Sequence, residues 1–233
     1  MSVIRIFLFL CIVLICCNCK SIKEPFEGVL TYVYTNDTKT MDKPDTVKVY
    51  LKDGNCRIKE IVNDRLFIMD VNGTYLINEE NKKFFAYYNN DCYDSVFFVS
   101  LNKKRNKLYK DNLLNETKTI LNLKCNKIAF LDSLDRLNNS LYVPFWEYQI
   151  WVNSSFNIKK HPVAEHSEID EVELLMEQNY LPTLIKKTYR GDVKYGKLIV
   201  SYRLIKIDKC KLDNELFNIP NGYKQVGSKE DLY

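Results

Sequence analysis

The stretch that decides the fold lies near the C-terminal end and reads LPTLIKKTYRGDVKYGKLIVSYRLIKIDKCKLDNELFNIPNGY, from Leu181 to Tyr223. It contains two long runs rich in β-branched and aromatic residues, Thr183–Arg190 and Lys197–Asp208. The turn-forming residues between them include Gly191 and Gly196. Such runs on either side of a glycine-containing turn are typical of a β-hairpin. The stretch therefore predicts the closing hairpin of a large antiparallel sheet.

An apolar tail follows this hairpin. Leu216, Phe217 and Ile219 come just before Pro220 and Gly222, which end any regular element there. We expect this tail to pack onto the hairpin.

The rest of the chain shows the same pattern at short intervals. Turn signals such as Asp53-Gly54 and Asn72-Gly73 recur every eight to twelve residues and favour a meander of short antiparallel strands. One plausible helix, Pro162–Gln178, has apolar residues at helical spacing. The predicted strands before the hairpin are Phe26–Thr35, Thr46–Lys52, Asn55–Val62, Arg65–Val71, Thr74–Asn78, Lys83–Tyr88, Glu116–Lys124, Cys125–Leu131 and Trp146–Val152.

Several predicted strands are apolar on both faces, notably Leu66–Val71, Phe84–Tyr88 and Leu198–Ile207. A single sheet with one face in water does not need this composition. Either both faces are covered by protein, or one face lines a cavity, for example one that holds acyl chains. The sequence leaves both alternatives open.

The N-terminus has the features of an export signal. Arg5 precedes the apolar run Ile6–Ile15, which is too short to span a bilayer. We predict a signal peptide over residues 1–19, a tether over residues 20–25 and a single β domain over residues 26–233.

Three cysteines lie at the end of this signal, where no A-x-A cleavage pattern occurs. An apolar run that ends at a cysteine resembles the bacterial lipoprotein signal, in which the first mature residue is an acylated Cys. Cys17 fits best, because Leu14 and the small Cys16 precede it, and Cys19 is the alternative. An ordinary secretory signal with incidental cysteines remains the competing interpretation.

Four further cysteines, Cys56, Cys92, Cys125 and Cys210, lie in the predicted domain. An exported protein enters an oxidising compartment in which disulfides form. Four cysteines allow three pairings. We predict a Cys125–Cys210 bridge, because both residues lie on well-defined strands, and Cys56–Cys92 as the second bridge.

No catalytic constellation is evident. The two histidines, His161 and His166, are five residues apart with Pro162 between them, which is a poor helical spacing for a metal site. No phosphate-binding loop or nucleophile motif occurs. The net charge of +4 is dispersed among 34 basic and 30 acidic residues, which argues against nucleic acid as a partner. We therefore expect no enzyme activity, no metal and no cofactor.

Several short segments together resemble an exported family of bacteroidete proteins of unknown function. That family is related to the GLPGLI-type proteins and, more distantly, to the LolA/LolB-like lipoprotein-carrier half-barrel. The segments that carry the resemblance are Phe26–Tyr32, Val49–Ile58, Asp70–Tyr88, Thr117–Ala129, Tyr148–Val152, Leu181-Pro182 and Leu216–Tyr223.

The resemblance implies a mainly β protein with a curved, incompletely closed antiparallel sheet and one or two helices at its concave side. In the carrier branch this concavity holds lipid acyl chains. The expected function is thus a non-catalytic lipoprotein, lipid-anchored in the bacterial cell envelope at the periplasmic or surface face of the outer membrane, that binds a hydrophobic ligand. The alternative is a structural or sensory envelope protein that makes protein contacts and has no ligand cavity.

Overall fold

The computed structural model of the chain describes residues 24–37, 44–61, 65–70, 72–88, 107, 109–132, 145–158, 175, 179–190 and 198–233. Most of them lie in strands. The strands are β1 Gly28–Asn36, β2 Asp45–Lys52, β3 Asn55–Glu60, β4 Arg65–Met69, β5 Gly73–Asn78, β6 Lys83–Tyr88, β7 Leu113–Ile120, β8 Leu123–Asp132, β9 Phe145–Asn153, β10 Leu181–Arg190, β11 Ile199–Lys209 and β12 Lys224–Val226. Two short 3-10 helices cover Asn214–Phe217 and Glu230–Leu232.

All twelve strands belong to one sheet, in the order β12-β6-β5-β4-β3-β2-β1-β11-β10-β9-β8-β7. Strands β1 to β6 form one antiparallel meander and β7 to β11 form a second. Antiparallel pairing of β1 with β11 joins the two meanders, and β12 adds to β6 in parallel. The sheet has two ends, β12 and β7, and is therefore open.

The sheet curves around one hydrophobic core. A single cluster of buried side chains contains residues from β1 to β5 and from β8 to β11, which lie on opposite sides of the β1–β11 junction. Side chains from strands this far apart in the sheet meet only if the sheet bends towards the face that carries them. The predicted fold class, a curved and incompletely closed antiparallel sheet, is confirmed. Two helical residues, Tyr109 and Leu175, also contribute to this face, since both are buried in the same cluster.

Two hairpins have tight two-residue turns with positive φ, and the sequence indicates only the first of them. Asp53 and Gly54 have φ of 50° and 93°, as a two-residue turn that matches the twist of its strands requires. Leu121 and Asn122 form an equivalent turn, with φ of 49° and 61°. The predicted boundary between these two strands, after Lys124, was therefore wrong by a few residues. Leu is an unusual residue at positive φ, so the sequence gives no turn signal there.

The C-terminal tail packs elsewhere than predicted. Instead of lying on the closing hairpin, it covers the convex face of β4, β5 and β6. Ile219 and Tyr223 pack against a second apolar cluster, and Arg57 Nη1 donates a hydrogen bond to the Leu216 carbonyl at 3.1 Å. Strands with apolar residues on both faces need a cover on each side, and the tail supplies it here. The second cluster consists of Leu66, Ile68, Tyr75, Ile77 and Ala86.

Of the predicted helix Pro162–Gln178, the structure describes Leu175 alone, which is helical and buried. The other residues of that helix lie outside the described ranges. No helix within the described ranges is long and apolar enough to span a membrane.

A charged contact fixes the start of β1 to the segment after β11. The Glu27 carboxylate accepts hydrogen bonds from the Leu212 backbone N–H at 2.7 Å and from the Lys211 ammonium at 3.1 Å. Lys52 Nζ lies 3.5 Å away. The Leu212 N–H, followed by Lys211, holds the pKa of the Glu27 carboxyl below its ordinary value of 4.5.

The Glu27 contact predicts a pH-dependent stability difference. A carboxyl whose pKa is lowered by folding stabilises the protein above its ordinary pKa and loses that contribution as pH falls through the folded value. We expect Glu27→Gln to be less stable than wild type at pH 7, with the gap closing below pH 4. Urea unfolding at both pH values measures it. The exposed control Glu80→Gln should have nearly the same free energy of unfolding as wild type at both pH values. A stability difference between Glu27→Gln and wild type that does not change with pH would contradict the assignment.

Candidate functional site: the concave face

The concave face has an apolar floor across most of its width. Alternate residues of each strand point into it, because side chains of a strand alternate between the two faces. On β2 these are Val47, Val49 and Leu51. Ile58 on β3 and Ile150 on β9 belong to the same cluster, and all five side chains are almost completely buried. The floor therefore has the character of a protein interior and not of a wetted surface.

Segments outside the sheet cover this floor. Tyr109, Ile158, Leu175 and Leu232 belong to the same core cluster, and each is fully or almost fully buried. Leu232 comes from the 3-10 helix at the C-terminus, where Asn78 Nδ2 donates to its carbonyl at 3.1 Å. Among the described residues, the side chains that cover the concave face thus come from outside the sheet.

An aromatic row runs along the same face near the ends of β8, β9 and β10. Phe130 stacks on Tyr148 with ring centroids 4.7 Å apart, and Trp146 meets Tyr189 edge to face at 5.3 Å. Lys187 Nζ lies 5.8 Å from the ring centroids of both Tyr148 and Trp146, within cation–π range. The row places one half-buried cation among aromatic rings on an otherwise apolar face.

A charged pair occupies one end of the floor on β3 and β4. Arg65 Nε donates to Glu60 Oε2 at 2.7 Å, and Arg65 Nη2 lies 2.5 Å from the same oxygen. The Glu60 side chain is only 4% exposed. Asp45 is also buried on β2, two residues from the Val47 that pairs with Glu60. The concave face is therefore apolar over its floor and charged at this end.

A hydrogen bond crosses the floor beside the β-bulge in β10. The register between β9 and β10 shifts between Pro182 and Leu184, and Pro at the beginning of a strand cannot donate to the ladder. The Tyr32 hydroxyl donates to the Pro182 carbonyl at 2.9 Å. Burial, and secondarily the Cys56 thiol, raises the pKa of Tyr32, so its proton remains available for this bond.

Replacing Tyr32 by phenylalanine removes the hydroxyl that donates to the buried Pro182 carbonyl, which then lacks this hydrogen bond. We expect Tyr32→Phe to cost about 1–2 kcal/mol of unfolding free energy, the usual penalty for such a loss. Urea titration followed by tryptophan fluorescence measures the change. Tyr233→Phe, at a side chain 68% exposed, is the matched control and should be neutral. Equal effects at both positions would rule out a structural role for the Tyr32 bond.

The structure separates the predicted disulfide partners Cys125 and Cys210. Cys125 is buried in β8 and accepts a hydrogen bond from Thr183 Oγ1 at 3.3 Å, whereas Cys210 is exposed after β11. Strands β8 and β11 are three positions apart in the sheet, about 14 Å at the usual strand spacing. A disulfide needs Cα atoms within about 7 Å. Between these two described residues the predicted bridge is therefore absent, and both carry free thiols. Burial raises the pKa of the Cys125 thiol.

The remaining predicted residues lie outside the described ranges. These are the lipidation candidates Cys17 and Cys19, the disulfide candidate Cys92 and the histidines His161 and His166. Cys56, the predicted partner of Cys92, is buried in β3 on the concave side. The lipidation site and the Cys56–Cys92 pairing stay predictions.

Sequence analysis did not identify Lys187 as a residue of the concave face. The signal is present, because Lys186-Lys187 interrupts the apolar alternation of β10 and places one lysine on each face. Without the strand register, the sequence does not show which of these two lysines faces the core side. The pairing of Lys187 with Tyr148 shows which of them faces the core side.

The similarity of this chain to known proteins is found among solved structures. No protein-family model matches the chain, and no curated protein matches its sequence. Among solved structures, a LolA superfamily protein from Nitrosomonas europaea is similar to this chain, with 9% sequence identity and a TM-score of 0.34. The similarity covers 84% of this chain and 91% of that protein.

Proposed function

We propose that the protein is a non-catalytic lipoprotein of the bacterial cell envelope that holds an apolar chain, such as a lipid acyl chain, on its concave face. The observation that carries the proposal is the way the floor is covered. Within the described part of the chain, buried side chains from outside the sheet, among them Tyr109 and Leu175, cover an apolar surface to which most of the strands contribute.

Binding in this arrangement is an exchange of apolar partners. An acyl chain that replaces Tyr109 or Leu175 keeps the floor out of water, so the hydrophobic contribution of the floor is retained. Each CH₂ group of the chain that becomes buried contributes about 0.8 kcal/mol. The buried pair Glu60–Arg65 and the Lys187 among the aromatic rings supply charged groups at the margins of the floor. This pattern favours an amphiphile over a purely apolar ligand.

Membrane attachment is the second part of the proposal. Acylation at Cys17, or alternatively at Cys19, would leave a tether of a few residues before Glu24. Two acyl chains anchor a protein durably, whereas one gives only marginal binding. Mass spectrometry of the mature N-terminal peptide tests this part. A mature N-terminus without an acylated cysteine would refute the anchor and leave the binding proposal standing.

Native mass spectrometry of the full chain, purified from its own envelope, tests ligand binding. We expect a bound species with the mass of an acyl-chain lipid, and loss of that species when a fluorescent fatty acid is added in excess. Leu175→Ala loosens the cover and should speed ligand exchange. Leu131→Ala, at a side chain 60% exposed on β8, is the control and should exchange like wild type. A protein that carries no lipid and fails to bind the fatty acid would refute ligand binding.

A second candidate function is a scaffold for protein contacts. It is favoured by the closed floor and by exposed apolar side chains at the β7 end of the sheet, Leu113, Leu114 and Leu131. In that case the same partner should crosslink to wild type in native membranes and be lost on replacement of Leu114 and Leu131 by serine, while no lipid co-purifies. Lipid co-purification with unchanged crosslinking in the serine variant would reject the scaffold function.

A further inference from the structure

A second groove lies on the opposite, convex face of the sheet. It is an open groove of about 670 Å³ between the tip of the β7–β8 hairpin and the outer surface of β10 and β11. Its β10 and β11 wall is formed mainly by residues that alternate with the core-facing ones, such as Leu184, Arg203 and Ile205, so the groove opens on the other face from the concave floor and is independent of the function proposed above. Its lining consists of Lys118, Thr119, Ile120, Leu121, Thr183, Leu184, Ser201, Arg203, Leu204 and Ile205.

The charges of this groove are all of one sign. Lys118 approaches it from the hairpin and Arg203 from β11, and none of the described lining residues is acidic. The Lys118 ammonium lies 5.8 Å from the Trp151 ring centroid, which holds it on the outer face. Within the described part of the chain neither Lys118 nor Arg203 forms an ion pair with a carboxylate. Two cations in one groove without counter-charges favour an anionic ligand.

The apolar part of the groove carries a strained residue. Leu121 has a φ of 49° and is 43% exposed, and Ile205 on the groove wall is 45% exposed. A leucine in the left-handed region is less favourable than glycine or asparagine, because its Cβ lies close to the following carbonyl oxygen. Asn or Gly would satisfy this turn without strain and without exposing apolar surface. An outlier that stability does not explain is a reason to look for function.

We propose that this groove binds an anionic phospholipid, with the phosphate between Lys118 and Arg203 and the beginning of an acyl chain against Leu121 and Ile205. The two cations supply charge-assisted hydrogen bonds to phosphate oxygens, and Arg can do so with two parallel N–H groups. The exposed leucine and isoleucine supply the apolar contact that a free phosphate ion does not use. The two cations thus select the phosphate of the lipid, and Leu121 and Ile205 select its acyl chain.

Native mass spectrometry of the full chain in an uncharged detergent tests the proposal. Phosphatidylglycerol and phosphatidylcholine are added in equal amounts, and inorganic phosphate is added in a separate sample. We expect bound phosphatidylglycerol to exceed bound phosphatidylcholine at least about tenfold, because the choline ammonium neutralises the charge of its lipid and is repelled by the two cations of the groove. Lys118→Gln with Arg203→Gln should abolish this preference. Leu121→Asn should keep the headgroup preference but lower the amount bound.

Lys224→Gln is the matched control, because it removes one exposed cation from β12 at the opposite end of the strand order. It should bind both lipids like wild type. Equal binding of the two lipids by wild type, or an unchanged preference in the Lys118/Arg203 double variant, would overturn the assignment. Binding of inorganic phosphate with the same affinity as the lipid would overturn the role of Leu121 and Ile205. A lipid that binds the concave face should remain bound in all these variants, which separates the two sites.

Discussion

Replacing Gly28 by alanine is expected to destabilise the protein by about 3–5 kcal/mol, because the new methyl group has no room. A Cβ built at Gly28 would lie 2.0 Å from the Asp208 carbonyl oxygen and 3.1 Å from the Lys209 Cα. These are backbone atoms of β11, so no side chain can rotate away. Gly28 also has a φ of 152°, which side-chain-bearing residues rarely adopt. Relief of the clash requires β1 and β11 to move apart.

The position of Gly28 explains why the expected effect is large. It pairs with Lys209 at the junction of the two meanders, so a local separation weakens the pairing that makes one sheet out of two. Gly227→Ala is the matched control, since a Cβ there meets no atom within 4 Å. Urea unfolding should show a large loss of stability for the first variant and almost none for the second. Similar midpoints for the two variants would contradict the clash.

Replacing Arg65 by methionine is expected to cost about 3–5 kcal/mol, because it leaves the Glu60 carboxylate buried without its cation. Both Arg65 nitrogens that approach Glu60 lie within 2.7 Å of one carboxylate oxygen. Methionine preserves most of the side-chain volume, so the loss is mainly electrostatic. Thermal and urea unfolding of the variant at pH 7 measure the cost.

Two further variants separate this electrostatic cost from ordinary packing effects. The double variant Glu60→Leu with Arg65→Met removes both charges and should recover much of the lost stability. Lys206→Met breaks an exposed pair with Asp208, whose side chains are 65% and 39% exposed, and should cost no more than about 1 kcal/mol. If Arg65→Met loses no more unfolding free energy than Lys206→Met, the expected dependence of the buried Glu60 carboxylate on Arg65 is contradicted.

The meander could be predicted from the sequence because its determinants are local. Alternation in β2 and the Asp53-Gly54 turn fix the β2–β3 hairpin within a few residues. The same reasoning places Cys56, Ile58 and Glu60 on one face, and all three are buried there. Once the turn after Glu60 is recognised, Arg65 follows as the residue opposite Glu60 on the next antiparallel strand. The charged pair could therefore have been predicted from the sequence.

Contacts between distant parts of the chain could not be predicted in this way. Neither alternation nor turn chemistry specifies that β1 pairs with β11, or that Ile219 and Tyr223 cover β4 to β6. The predicted disulfide between Cys125 and Cys210 failed for the same reason. Cys125 lies on a strand as predicted, whereas Cys210 lies just after β11, and the distance between them depends on a strand order that one sequence does not reveal.

The pairing of the first long strand with the last one has a consequence for the order of folding. Each meander consists of contacts between near neighbours in the chain, whereas the β1–β11 ladder must close a loop that contains almost the whole domain. We therefore expect slow, high-contact-order kinetics in which β3 to β5 gain amide protection in pulsed hydrogen exchange before the β1 and β11 amides of their shared ladder do. Until β11 arrives, β1 exposes an unpaired edge, which is the part of the nascent molecule most open to aggregation and to a chaperone.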